Sequence, residues 1–248
     1  MKIVAGSIVK NEEKFIKFMI KSISWVDEIV ILDDHSIDKT RSILEDLSMR
    51  VLKPKINLIR PFFHASMIKY LPDGKRDVGH EIETRNLFLK LLFDKYNPDA
   101  VILIDGDELM SVNLKLIIKQ ALSENKFDGI ALTCNHVFDK DDYLRVFEDE
   151  WNEVKMVDPH VRILFERLKY RHGEWADTPD CFIKPTNKTL CLDGPYHYHL
   201  KYCVGTNSEN YAFKFLPSKI TKEKTLQYLH KHRYPFPKDI EKYIKLFI

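Results

Sequence analysis

The segment VILIDGDELM, residues 101 to 110, constrains the fold more than any other stretch of the chain. An apolar run from Ala100 to Ile104 leads directly into Asp105-Gly106-Asp107-Glu108. A run this apolar suits a strand covered on both faces, as in the parallel sheets of α/β folds. Three carboxylates around a glycine at its end are either a solvated turn or a seat for a cation. The same arrangement occurs twice earlier. The strand Ile3 to Val9 ends at Lys10-Asn11-Glu12-Glu13, and the strand Glu28 to Asp33 ends at Asp34-His35-Ser36-Ile37-Asp38-Lys39-Thr40. Ligands of open parallel sheets sit beyond the carboxyl ends of the strands. Three polar clusters are therefore expected at one sheet edge.

Helical periods separate these strands. Phe15, Ile16, Met19, Ile20 and Ile23 share one face of a helix expected over Lys14 to Ser24. Ser36 and Asp38 are N-cap candidates for a helix through Leu47. Residues 49 to 63 read as a short strand and a loop, and YLPDGKRDVGHE (70 to 81) as turns. A helix from Glu83 to Tyr96 stops at Asn97-Pro98. After the acidic turn come a helix over Leu114 to Leu122 and a strand over Ile130 to Cys134. This alternation predicts an α/β fold with a mostly parallel, Rossmann-like central sheet, right-handed crossovers and flanking helices. The second half is less regular. FDKDDYLRVFEDEWNEVKMVDPH (138 to 160) reads as an acidic loop with a short helix. HVRILFER and TLCLDGPYHYHLKY read as strands. From Thr221 the chain is helical and basic, interrupted at Tyr234-Pro235-Phe236-Pro237. No stretch has linker composition, so one domain is expected over 1–248.

The chain has 248 residues, 44% of them hydrophobic and 31% charged, and a formal net charge of +2. That balance argues against a nucleic-acid binder. No apolar run approaches the roughly 20 residues needed to span a bilayer. MKIVAGSIVKNEE turns polar too soon for a signal peptide and reads as the first strand. Cys134, Cys181, Cys191 and Cys203 form no CxxC pair, and reduced thiols in a cytoplasmic protein are the expectation. The closing IEKYIKLFI reads as an amphipathic packing helix, with peripheral membrane contact as the alternative.

SIVKNEEKFIKFMIKSISWVDEIVILDDHSIDKT resembles the opening of family 2 glycosyltransferases with the GT-A fold. That opening has a strand, Asn-Glu-Glu, a helix, an Asp-Glu before a strand, and an Asp-Asp-x-Ser-x-Asp-x-Thr run. ETRNLFL (83 to 89) resembles the family's Ala-Arg-Asn segment, with Thr84 in place of Ala, and LIDGDE resembles its DXD motif. The resemblance covers roughly the first 135 residues. It implies a nucleotide-sugar-binding half (1–135) and an acceptor-side half with C-terminal helices (136–248).

By that resemblance the donor is held by the clusters containing Val9, Asn11, Glu13, Asp33, Asp34, Arg85, Asp105 and Gly106. Asp34 would accept a hydrogen bond from the base, which favours a uridine donor, while Asp33 orients the loop; the two roles are interchangeable at this stage. Arg85 would pair with the diphosphate or with Asp105. Asp105 and Asp107 would hold the ribose and Mn²⁺ or Mg²⁺, for which carboxylate oxygens are suited. Gly106 would let the backbone approach the ligand. His199 or His197 of YHYHLKYC would complete the metal site or touch the diphosphate. Both lie on one face of a strand.

Transfer to an acceptor hydroxyl needs a general base. RILFERLKYRHGEWADTPD resembles a segment of the branch that includes lipopolysaccharide core sugar transferases, but the branch's His-Glu pair is not reproduced. The base stays open among Glu174, Asp177 and Asp180, with Asp177 favoured. Trp175, Tyr196 and Tyr198 are candidates to stack on a sugar. The expected partners are a nucleotide-diphosphate sugar and a glycan or lipid-linked acceptor, with inversion implied by the family.

Two other readings compete. Cys181, Cys191, His197, His199 and Cys203 would form a zinc-held binding module, although no close Cys pair supports it. A nucleotidyltransferase shares the sheet and the metal carboxylates, but it usually carries a glycine-rich basic loop where this chain has Lys10-Asn11-Glu12-Glu13. A phosphatase of the haloacid dehalogenase type fits less well, since its motif wants Thr or Val at the position of Leu109.

Overall fold

β1 (Ile3–Val9) is the centre of the parallel part of the sheet in the computed structural model, which describes residues 1–50, 53–72, 77–137, 142–145, 159–172, 181–200 and 233–247. It pairs in parallel with β2 (Glu28–Asp33) on one side and with β4 (Ala100–Leu103) on the other. β3 (Lys55–Ile59) extends the sheet in parallel beyond β2. Alternate residues face opposite ways. Ile3, Ala5, Ile29, Ile31 and Ile102 pack under α1 (Ile16–Ser22), α2 (Thr40–Met49) and α4 (Leu114–Glu124). Val4, Val30, Leu32, Val101 and Leu103 pack under Phe88, Leu89 and Leu92 of α3 (Val78–Tyr96). Burial on both faces explains the unbroken apolar runs. It contributes about 1.5–3 kcal/mol for each such side chain.

The parallel character ends at β4. β8 (Pro159–Leu164) lies antiparallel between β4 and β6 (Gly129–Val137). β7 (Asp142–Arg145) and β12 (Arg233–Pro235) continue antiparallel from β6, giving the order β12-β7-β6-β8-β4-β1-β2-β3. β7 follows β6 after only a few residues, too few for the crossover a parallel neighbour needs. A strand absent from the sequence reading, β5 (Glu108–Met110), leaves the acidic turn. It pairs antiparallel with β11 (Thr189–His199), which also runs parallel to β6. β9 (Arg171–His172) and β10 (Cys181–Phe182) form a separate two-stranded ladder.

α3 begins at Val78, not Glu83, because the Asp77 carboxylate accepts from the His80 amide at 3.1 Å and caps it. The second glycine of the turn-like stretch, Gly79, falls in the first helical turn. The helix ends at Asn97 in the left-handed conformation, φ 45°, as Asn97-Pro98 predicts. The expected acidic loop over 138–160 contains β7 and the start of β8, its remainder lying outside the described residues. So does the expected helix start at Thr221. α5 (Lys238–Phe247) spends its apolar face on the core: Ile240 and Ile244 are fully buried among Phe15, Leu109, Tyr198 and Phe236. No helix among the described residues is long and apolar enough to cross a membrane.

Candidate active site

The first two polar clusters are tied to each other. The Asn11 amide donates to Ser36 Oγ at 2.9 Å, and Asn11 Oδ1 accepts from the Ile37 amide at 2.9 Å. The Glu12 amide donates to Thr40 Oγ1 at 2.7 Å and the Glu13 amide to Asp38 Oδ2 at 3.1 Å. Glu13 Oε2 in turn accepts from the Lys39 amide at 3.0 Å. These reciprocal bonds fasten the start of α1 to the start of α2. Asn11 adopts φ 56°, which asparagine tolerates better than most side chains. Asn11 Oδ1 and Glu13 Oε2, expected at the donor, thus hold backbone amides. Val9 is likewise buried, and its carbonyl accepts from the Asp34 amide at 2.8 Å.

Asp33 accepts from the Ser36 amide at 3.3 Å and lies 3.5 Å from Arg41 Nη1, which suits a loop-orienting role. Asp34 is buried, with both carboxylate oxygens 2.9 Å from the Met67 amide. Ser66 Oγ also donates to Asp34 and accepts from Lys10 Nζ at 2.7 Å. The loop after β3 thus occupies the group expected to meet a base.

The acidic turn stands at the carboxyl end of β4, as read from sequence. Asp105 is half-exposed. Its carboxylate is 3.2 Å from Arg162 Nη1, and its amide donates to Glu108 Oε2 at 2.8 Å. Arg162 Nη2 lies 2.6 Å from Glu108 Oε1, which is also 3.0 Å from His197 Nε2. Asp107 is nearly buried, with Oδ2 3.1 Å from His199 Nε2. Gly106 makes room for the Glu12 side chain: a Cβ there would lie 2.6 Å from Glu12 Cγ.

Arg85 donates to Glu81 at 3.0 Å and lies over the Tyr170 ring at 5.3 Å, so the cation beside Asp105 is Arg162, not Arg85. Both guanidiniums line a small open cleft with Gly6, Ile8, Phe88, Asp105 and Tyr170. Asn86 binds both backbone groups of Tyr170, accepting from its amide at 2.9 Å and donating to its carbonyl at 3.2 Å.

Electrostatics follow from this packing. Burial alone would raise the Glu108 carboxyl, but Arg162 and His197 outweigh it and hold it well below the usual carboxylate range. Burial pushes His197 below the ordinary histidine value, with Glu108 pulling the other way. For His199, burial is outweighed by the hydrogen bond and charge of Asp107, and its pKa rises. Arg162 stays charged because Glu108 and Asp105 overcome its burial.

His197, expected as a metal ligand, is instead wholly buried behind Glu108, while His199 stands at Asp107. Tyr198 is also buried, against Phe236 at 6.0 Å, so sugar stacking does not fit it, while Tyr196 is partly buried against the core. Of the candidate zinc-module residues, Cys191 is exposed, whereas His197 is buried. Cys203 and the side chain of Cys181 lie outside the described residues. So do Glu174, Trp175, Asp177 and Asp180. Among the described residues, no group of three or more His, Cys, Asp or Glu is arranged as a metal cage. The sequence reading left Glu108 and Arg162 without a role. The available signal was a lone Arg inside the apolar run of β8 and a third carboxylate after the DXD-like turn.

Residues 7–61 match the model of glycosyl transferase family 2. That segment is similar to glycosyl transferase family 2, and the chain as a whole has the mixed α/β architecture of the GT-A fold. Among solved structures, it is similar to S. aureus TarS 1–349, at 17% identity and TM-score 0.51, over 92% of this chain and 69% of that one. The complex of TarS 1–349 with UDP-GlcNAc gives 16% identity and TM-score 0.53, over 94% and 71% of the two chains. A further S. aureus TarS structure matches at 16% identity and TM-score 0.52, over 94% of this chain and 43% of that one. Comparison with curated proteins gives no match.

Proposed function

We propose that this chain moves a sugar from a nucleoside-diphosphate sugar, with UDP-sugars favoured, to an acceptor hydroxyl of a glycan or lipid-linked molecule. One observation carries the reading: Asp105 and Asp107 stand at the carboxyl edge of the sheet, beside a cleft walled by Arg85 and Arg162. The UDP-GlcNAc complex of the similarly folded TarS supports a nucleotide-sugar donor.

The donor set fits Mg²⁺ or Mn²⁺. Asp105 and Asp107 each engage Oδ2 with a protein cation or imidazole, which leaves Oδ1 of each, among the described residues, open to a further ligand. Such ions take one or two carboxylates and fill their remaining positions from phosphate and water, so a closed protein cage is not required. When bound, the ion neutralises charge on the departing diphosphate. Arg85 adds fixed positive charge at the cleft wall. His199 Nε2, 3.1 Å from Asp107 Oδ2, orients that carboxylate. The acceptor hydroxyl loses its proton to a carboxylate among Glu174, Asp177 and Asp180, and attack in line inverts the anomeric centre. Those residues connect β9 to β10, and Asn86 holds the adjoining Tyr170 to α3 beside the cleft.

A thermal-shift series of nucleotide sugars with and without Mn²⁺ tests the reading. At about a hundredfold excess over Kd, the true donor should raise Tm by about 5–10 °C. A flat response to every nucleotide sugar in both metal conditions overturns it.

A further inference from the structure

Glu108 and Arg162 form a buried ion pair that holds Asp105 from two directions. Glu108 Oε2 takes the Asp105 amide at 2.8 Å, and Arg162 Nη1 reaches the Asp105 carboxylate at 3.2 Å. The two holders are joined to each other at 2.6 Å, and the Glu108 amide donates back to the Asp105 carbonyl at 3.1 Å. A closed ring of polar contacts results, anchored on β8 on one side and β5 on the other. Only 2% of the Glu108 side chain is exposed, and 12% of Arg162.

Stability is a weak reason for such a pair. Desolvating two charges offsets most of their attraction, and well-packed apolar replacements are often neutral. What an apolar pair cannot reproduce is the directed hold on the amide and the carboxylate of one residue. The geometry points to Glu108 and Arg162 as positioning residues that fix Asp105, and through it the acidic turn, at the mouth of the donor cleft. This inference rests on the proposed donor site only for its consequence in ligand binding, and the order of the turn can be read without ligand.

The test compares wild type with Arg162→Lys and with the double variant Glu108→Gln/Arg162→Met. The lysine keeps the charge but has no fork with which to reach both carboxylates. Amide hydrogen exchange over residues 104–110 is measured first, without ligand. Binding of Mn²⁺ with UDP follows by calorimetry, with Asp105→Asn as the reference for a lost carboxylate. The expected result in Arg162→Lys is faster exchange at this turn, with protection in β1 and β2 unchanged, and roughly 10–100-fold weaker UDP–Mn²⁺ binding. The double variant should regain most of the Tm that Arg162→Met alone loses, yet bind as weakly as Arg162→Lys. Wild-type exchange at the turn in Arg162→Lys overturns the inference, whether or not the double variant folds. A wild-type protein that binds no UDP–Mn²⁺ sinks the donor reading, while the exchange measurement still decides this one.

Discussion

Gly106 shows how one missing side chain serves the site. Its Cβ position is filled by Glu12 Cγ at 2.6 Å, with Val9 Cγ1 at 3.1 Å. Gly106→Ala should therefore cost about 1–3 kcal/mol in urea unfolding through overpacking. Adding Glu12→Ala should return most of that loss; no recovery would mean that the clash is not with Glu12. Asp107→Asn should lower transfer by orders of magnitude while Tm stays within a few degrees of wild type, read by product formation beside a melting curve. Asp105 and Asp107 were legible as a sheet-edge pair because an apolar run that breaks off in carboxylates marks where a buried strand reaches solvent. Asn11 and Glu13 misled for a physical reason. A polar residue after a strand looks the same whether its partner is a ligand or a backbone amide 26 positions away. Glu108 and Arg162 were illegible as a pair because 54 residues separate them and only the packing of β8 against β4 joins them.

Among the elements, the paired starts of α1 and α2 depend on buried hydroxyl and carboxylate caps. Thr40 is fully buried and its hydroxyl satisfies the Glu12 amide. Thr40→Val leaves that donor unmet and should lose about 1–3 kcal/mol, measured as a lower urea midpoint at constant slope. β2 carries an acid-sensitive contact: Glu28 lies 2.8 Å from Lys2 Nζ and accepts from Asn57 at 3.0 Å. The Lys2 hydrogen bond outweighs burial and lowers the Glu28 pKa from 4.5. A depressed carboxylate contributes stability above its unfolded pKa and loses it as pH falls through the folded one. The pair is partly exposed and modest in strength. Lys2→Met should thus reduce the Tm drop between pH 6 and pH 3.5 by about 1–3 °C, and an unchanged pH slope would contradict it. Helix periods and strand runs gave the existence of these elements, while α3 began early because Asp77 was hidden in a stretch that reads as turns.

At the scale of the whole molecule, half of the sheet was readable in advance. Parallel strands buried on both faces announce themselves as apolar runs; which strand lies beside which does not follow from them. The insertion of β8 between β4 and β6 depends on register and on the reversal after β6, and neither leaves a mark in composition. α5 closes the back of the acidic turn: Ile240 packs in the cluster holding Leu109 and Tyr198, and Asp239 accepts from Ser111 Oγ at 2.7 Å. Ile240→Ala should cost about 2–5 kcal/mol, seen as a lower Tm and faster proteolysis near the C-terminus. The two hydrogen bonds between the Asn86 side chain and the Tyr170 backbone have a mechanical result. They rivet the helix bearing Arg85 to the stem of the β9–β10 ladder, so the cationic wall and that ladder share one anchor.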